Sequence, residues 1–138
     1  MHKIYLLLVI VLFSFNEMSA QNHSRALATA DTTNFLVNQR NGWQLFNSYV
    51  APVKTDSVII ELIVQHDRTI DWKQEQLVGR IKPTNLLPKN SQTLPFNLIY
   101  DTYQLRVEPN GKCYLRLAKG AIPDGDPVII PVRAVYKL

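Results

Sequence analysis

The chain has 138 residues, 46% hydrophobic and 19% charged, with a formal net charge of +4 and a single cysteine. That length suits one domain with one filled core, and the scattered Lys and Arg make no stripe of the kind that binds nucleic acid. Cys113 alone excludes an intramolecular disulfide, so its thiol is expected to lie buried in a strand, with an intermolecular bridge as the alternative.

Lys3 precedes an apolar run from Ile4 to Phe13 that breaks at Ser14 and ends by Asn16-Glu17. A basic start, an apolar stretch of roughly 7 to 15 residues and small residues at Ser19-Ala20 are the parts of a secretory signal peptide, whereas a membrane span needs about 20 apolar residues. Residues 1–20 are therefore read as a signal peptide, with Gln21 as the new N-terminus. Retention as an N-terminal anchor is the rival. Export to the periplasm, the cell surface or the medium follows, with no stable membrane insertion after cleavage.

Residues 21–41 are rich in Asn, Ser, Thr, Ala and Gln and lack either period, so they read as a polar tether. A short helix over Ser24 to Ala30 would stop at Asp31-Thr32-Thr33-Asn34. From Gly42 to Leu138 short β-rich runs alternate with turn residues, which predicts a single antiparallel β-sandwich, jelly-roll or Ig-like. The expected strands are Trp43 to Val50, Ser57 to Gln65, Gln76 to Ile81, Phe96 to Tyr100, Tyr103 to Glu108, Lys112 to Ala118 and Val128 to Tyr136.

Val58 to Val64 is apolar at both parities except for Glu61, and five β-branched residues argue against a helix. It suits a central strand covered on both faces, or with one face in a subunit interface. Lys82 to Pro95 holds three prolines and reads as a loop that crosses between sheets or displays a surface. Glu108-Pro109-Asn110-Gly111-Lys112 predicts a tight hairpin. Its arms put Tyr103, Leu105, Val107, Cys113, Leu115 and Leu117 on one face. Arg106, Tyr114 and Arg116 then share the other as a basic and aromatic surface. Pro131 cannot donate to a ladder, so the last strand belongs at an edge or carries a bulge.

Signs of catalysis are scarce. No H-E-x-x-H, G-x-S-x-G, Cys-His or phosphate-loop pattern occurs, so no catalytic residue and no cofactor is expected. His66 and Asp67 are adjacent, so on a strand they would point to opposite faces, and a solvated turn is the simpler reading. Asp124-Gly125-Asp126 lacks the further ligands of a calcium loop and reads as a polar turn, leaving no metal site. Trp72 lies in the charged connection His66 to Glu75. Flanked by Asp71 and Lys73, it is a candidate for stacking on a sugar ring or anchoring a protein contact, the alternative being that it folds back over the sheet. Trp43 reads as core or interface. The candidate ligand-binding residues are thus Trp72, Tyr114, Arg106 and Arg116.

Asn41-Gly42-Trp43 followed by Tyr49-Val50-Ala51-Pro52 resembles the opening of C-terminal head domains of bacteriophage tail-fibre and receptor-binding proteins. The resemblance covers Asn41 to Leu138 and continues in the order of the later strands, although a G-Y-R-P-like motif is absent between Leu86 and Phe96 and such proteins are not usually exported. It implies a trimeric β-sandwich that recognises a cell-surface saccharide or protein through its distal loops. The expected function is a secreted or envelope-associated, non-enzymatic binding module for a surface glycan or an envelope protein. A structural or assembly subunit of an envelope complex is the second expectation, and a small secreted enzyme the third.

Overall fold

The computed structural model describes residues 34–66, 70–123 and 127–138. The expected signal peptide, most of the tether, Asp67 and the Asp124-Gly125-Asp126 turn lie outside the described residues. Eight strands follow in order: β1 (Phe35–Val37), β2 (Gln44–Lys54), β3 (Ser57–His66), β4 (Gln76–Ile81), β5 (Gln92–Leu98), β6 (Asp101–Val107), β7 (Lys112–Lys119) and β8 (Val128–Lys137). They form two antiparallel sheets, β1-β4-β7-β6-β5 and β2-β3-β8, and the expected β-sandwich is the fold. Within the larger sheet, β4 to β7 lie in the order of a Greek key.

Alternation explains the layering. Val58, Ile60, Leu62 and Val64 of β3 and Val128, Ile130 and Val132 of β8 point inward, opposite Leu105, Val107, Leu115 and Leu117 of the larger sheet. Each such side chain contributes roughly 1.5–3 kcal/mol through removal from water, so this shared face dominates stability. Amide side chains stitch both seams of the sandwich. On one side Asn34 Nδ2 donates to the Val50 carbonyl at 3.0 Å. On the other, Gln92 exchanges two hydrogen bonds with the Lys137 backbone at 2.5 and 2.9 Å.

The prolines explain how the sheets end. Pro52, Pro95 and Pro131 lie in β2, β5 and β8, which are all edge strands, while β1, the remaining edge, has three residues. A proline on an edge removes a donor that another strand would use, so lateral growth is blocked. The Pro109-Asn110-Gly111 turn closes as expected, with Gly111 N donating to the Glu108 carbonyl at 2.8 Å and Glu108 N to that of Lys112 at 3.0 Å.

Three expectations need correction. The tether does not extend to residue 41, because Phe35 is buried and β1 pairs with β4; a strand with one inward residue carries no readable period. Gly79 makes that pairing possible, since a Cβ there would lie 2.4 Å from the Leu36 carbonyl oxygen and 2.6 Å from the Phe35 ring. Residues Gln92 to Pro95 belong to β5 rather than to a loop, and the shortened connection links two strands of the same sheet, so it does not cross between sheets. Val58 to Val64 lies in a central strand as expected, but of its two readings the doubly covered one fails, since one face lies in the core and Ile63 on the other remains exposed.

Cys113 is fully buried, as expected, and burial pushes its thiol from 9.0 up to about 12. The folded state thus holds the neutral thiol while the unfolded chain ionises first, so stability is full below about pH 9 and falls as pH rises toward 12. Urea titrations at several pH values should show this decline. In Cys113→Ala the part of the decline due to the thiol disappears, and an unchanged slope between about pH 8.5 and 10 would contradict its assignment.

Candidate functional site

The sandwich offers two outer faces of opposite character. On the larger sheet, the register places Arg106 beside Tyr114 and Gln104 beside Arg116, so three of the four predicted residues do share one face. Arg106 Nε and Nη2 donate to Glu75 Oε1 and Oε2 at 2.9 and 2.7 Å, and Nη1 bonds Glu108. Its guanidinium carbon lies 4.3 Å from the centre of the Tyr114 ring. The Arg106 hydrogen bonds hold the Glu75 carboxyl below its ordinary range, and Glu75 followed by Glu108 raises Arg106. Arg106 is therefore committed within the fold. Two glutamates balance its charge and its plane covers one face of the aromatic ring, leaving it little to offer a ligand.

Arg116 differs, because its Nε and Nη2 donate to the neutral Gln104 Oε1 at 2.8 and 2.6 Å, so its charge is not cancelled there. With Lys73 and Lys119 it lines a hollow of about 370 Å³ beside Gly120. A second hollow on the larger sheet, about 490 Å³, has Leu36 and Leu77 among its lining with Arg40, Arg80 and Lys112. Fixed positive charges around shallow depressions suit an anionic group.

Trp72 does not join this surface. It is 1% exposed, in T-shaped contact with Trp43 at 5.9 Å and with His66 at 6.4 Å. Hydrogen bonds from Lys73 N to Asp71 Oδ1 and from Gln74 N to the Asp71 carbonyl curl the connection into a turn. Asp71 and Lys73 are left exposed while the indole between them goes inward. Its backbone carbonyl accepts from Leu117 N at 2.6 Å, tying the connection to β7. His66 is likewise buried, not in a solvated turn: its Nε2 donates to the Asn41 carbonyl and its ring lies 4.7 Å from Trp43. Gly42 has φ +81 and a Cβ there would stand 3.0 Å from His66 Nε2, so Asn41-Gly42-Trp43 acts here as a corner that clasps a histidine.

The outer face of the smaller sheet carries what periodicity alone did not flag. Cross-strand rows bring together Ala51, Ile59 and Val135, then Tyr49, Glu61 and Arg133, then Asn47, Ile63 and Pro131. Tyr49 is 50% exposed, Val135 52% and Ile129, two residues beyond Pro131, 54%. Glu61 and Arg133 make an ion pair at 2.9 Å in the middle row. A further exposed apolar pair sits at the β5–β6 turn, where Ile99 (φ +52) and Tyr100 are 91% and 93% exposed above a hollow of about 680 Å³. Alternation along β3 hid the first cluster, since a strand apolar at both parities looks equally like a doubly covered one.

No group of three or more metal-binding side chains occurs among the described residues, and no helix among them is long and apolar enough to cross a membrane. Comparison with family models, curated proteins and solved structures gives no match, so nothing in them identifies a tail-fibre head.

Trp72→Ala is expected to lower the unfolding free energy by about 3–5 kcal/mol in urea titration, the cost of emptying a large buried site. A loss below about 0.5 kcal/mol would return the indole to the surface.

Proposed function

We propose that this chain is a non-enzymatic binding module that recognises a protein partner through the outer face of its three-stranded sheet. The observation that carries the reading is the exposure of Tyr49, Ile129 and Val135 on one sheet face whose edges are closed by proline. Water around these side chains is released when a second surface covers them, at roughly 25 cal/mol per Å² of apolar area. Lateral strand addition is disfavoured, so face-on docking is the remaining route. Within an exported chain, the partner belongs to the envelope or the extracellular space.

A surface glycan is the second reading, and Lys73, Arg116 and Lys119 around one hollow favour an anionic one. With Trp72 in the core, the sugar-stacking argument passes to Tyr114, whose ring Arg106 already covers on one side.

A photo-crosslinking residue at Tyr49 in the full chain, expressed in its own cell, should give a discrete protein adduct that Ile63→Lys removes and Arg116→Ala leaves intact. Crosslinking only from position 116, with binding to sulfated or uronic polysaccharide that falls with added salt, would replace the protein reading by the glycan one.

A further inference from the structure

We infer that the open hollow formed by β1, β4 and the start of β7 binds an anionic amphiphile, a phosphate or carboxylate head carried on an apolar chain. The register lines up Leu36, Arg80 and Lys112 across these three strands, so two cations stand directly opposite each other on β4 and β7. Like charges in that position destabilise a sheet. Arg40, from the 3-10 turn Gln39–Asn41 that follows β1, adds a third cation to the same lining.

Elsewhere the fold gives its arginines partners. Arg106 has Glu75 and Glu108, Arg133 has Glu61, and Arg116 has the Gln104 oxygen. Among the described residues, Arg40, Arg80 and Lys112 have no ion pair, and none of those lining the hollow is acidic. The glutamates of the same sheet face, Glu75 and Glu108, are both engaged by Arg106. An anion from outside would therefore relieve a repulsion that the fold leaves standing, and two guanidinium forks suit the oxygens of a phosphate or a carboxylate.

The floor selects the rest of the ligand. Leu36 is 55% exposed and Leu77 half-buried in the same lining. Asn38 Nδ2 donates to the Leu77 carbonyl at 3.1 Å and Asn38 N to that of Val78 at 2.7 Å, which ties the turn carrying Arg40 to β4. The volume, about 490 Å³, lies within the range of about 300–1,000 Å³ typical of small-molecule sites. An inorganic anion would leave the leucines wet, and a neutral amphiphile would leave the three cations opposed, so head and chain are both needed.

Isothermal titration with decyl phosphate below its micelle concentration should give one site with dissociation on the order of 0.5 mM, for which decanoate competes. Inorganic phosphate and the neutral decyl maltoside should each bind at least tenfold more weakly. Arg80→Gln and Leu36→Ser should each weaken decyl phosphate at least fivefold, whereas Lys54→Gln, an exposed cation at the end of β2, should leave it unchanged. Lys112→Gln tests the cause by a second readout: it should weaken binding yet raise the urea midpoint, because it removes one member of the opposed pair. Inorganic phosphate or the maltoside binding as well as decyl phosphate, undiminished affinity in Arg80→Gln, or a midpoint that falls in Lys112→Gln would each overturn the site. The three-stranded face takes no part in these measurements, so its docking role stands or falls on the crosslinking alone.

Discussion

The contact on which the rest of the sandwich depends is the aromatic cluster of Trp43, His66 and Trp72. It gathers the start of β2, the end of β3 and the connection that leads to β4, the point at which the chain leaves one sheet for the other. Without it, Ile70, which is only partly buried, would be the one apolar anchor among the described residues of the connection between β3 and β4. The Trp72 carbonyl then bonds Leu117, so the same residue fixes the connection to both sheets. One price is visible: the Trp72 indole N–H has no hydrogen-bond partner among the described residues, which costs about 1–3 kcal/mol against the gain from burying the ring.

From that anchoring follows a division of labour between the two outer faces. The larger sheet turns outward a polar surface in which Arg106 is spent on Glu75, Glu108 and Tyr114, a network that stiffens the sheet. Its remaining cations gather at hollows near the two ends of β7, around Lys112 and Lys119. The smaller sheet turns outward an apolar face with one internal ion pair. Pro52, Pro95 and Pro131 disfavour strand addition at the long edges, and the two faces differ in what they expose to solvent.

Most of the strand layout was legible because it is local. The Pro-Asn-Gly turn registers β6 against β7, and that register alone puts Arg106 next to Tyr114 and Cys113 in the core. The edge position of β8 was readable too, since Pro131 lacks an N–H in any context. The charged neighbours Asp71 and Lys73 leave Trp72 open to a surface or an inward reading from sequence, because a turn can point two of three consecutive side chains outward and the middle one in. Phe35 carries no such signal, because three strand residues offer a single inward position, too few for alternation to show.

The sequence by itself determined the β-sandwich, the hairpin, the buried cysteine and the edge placement of the last strand, because alternation, turn chemistry and the missing proline donor act over a few neighbouring residues. Only the tertiary structure decided which side of β3 stays open, where Trp72 and His66 go, and that Arg106 is already neutralised. Those outcomes depend on partners more than 20 positions away, as Asn41 is from His66 and Glu75 from Arg106, and no local pattern encodes such a meeting.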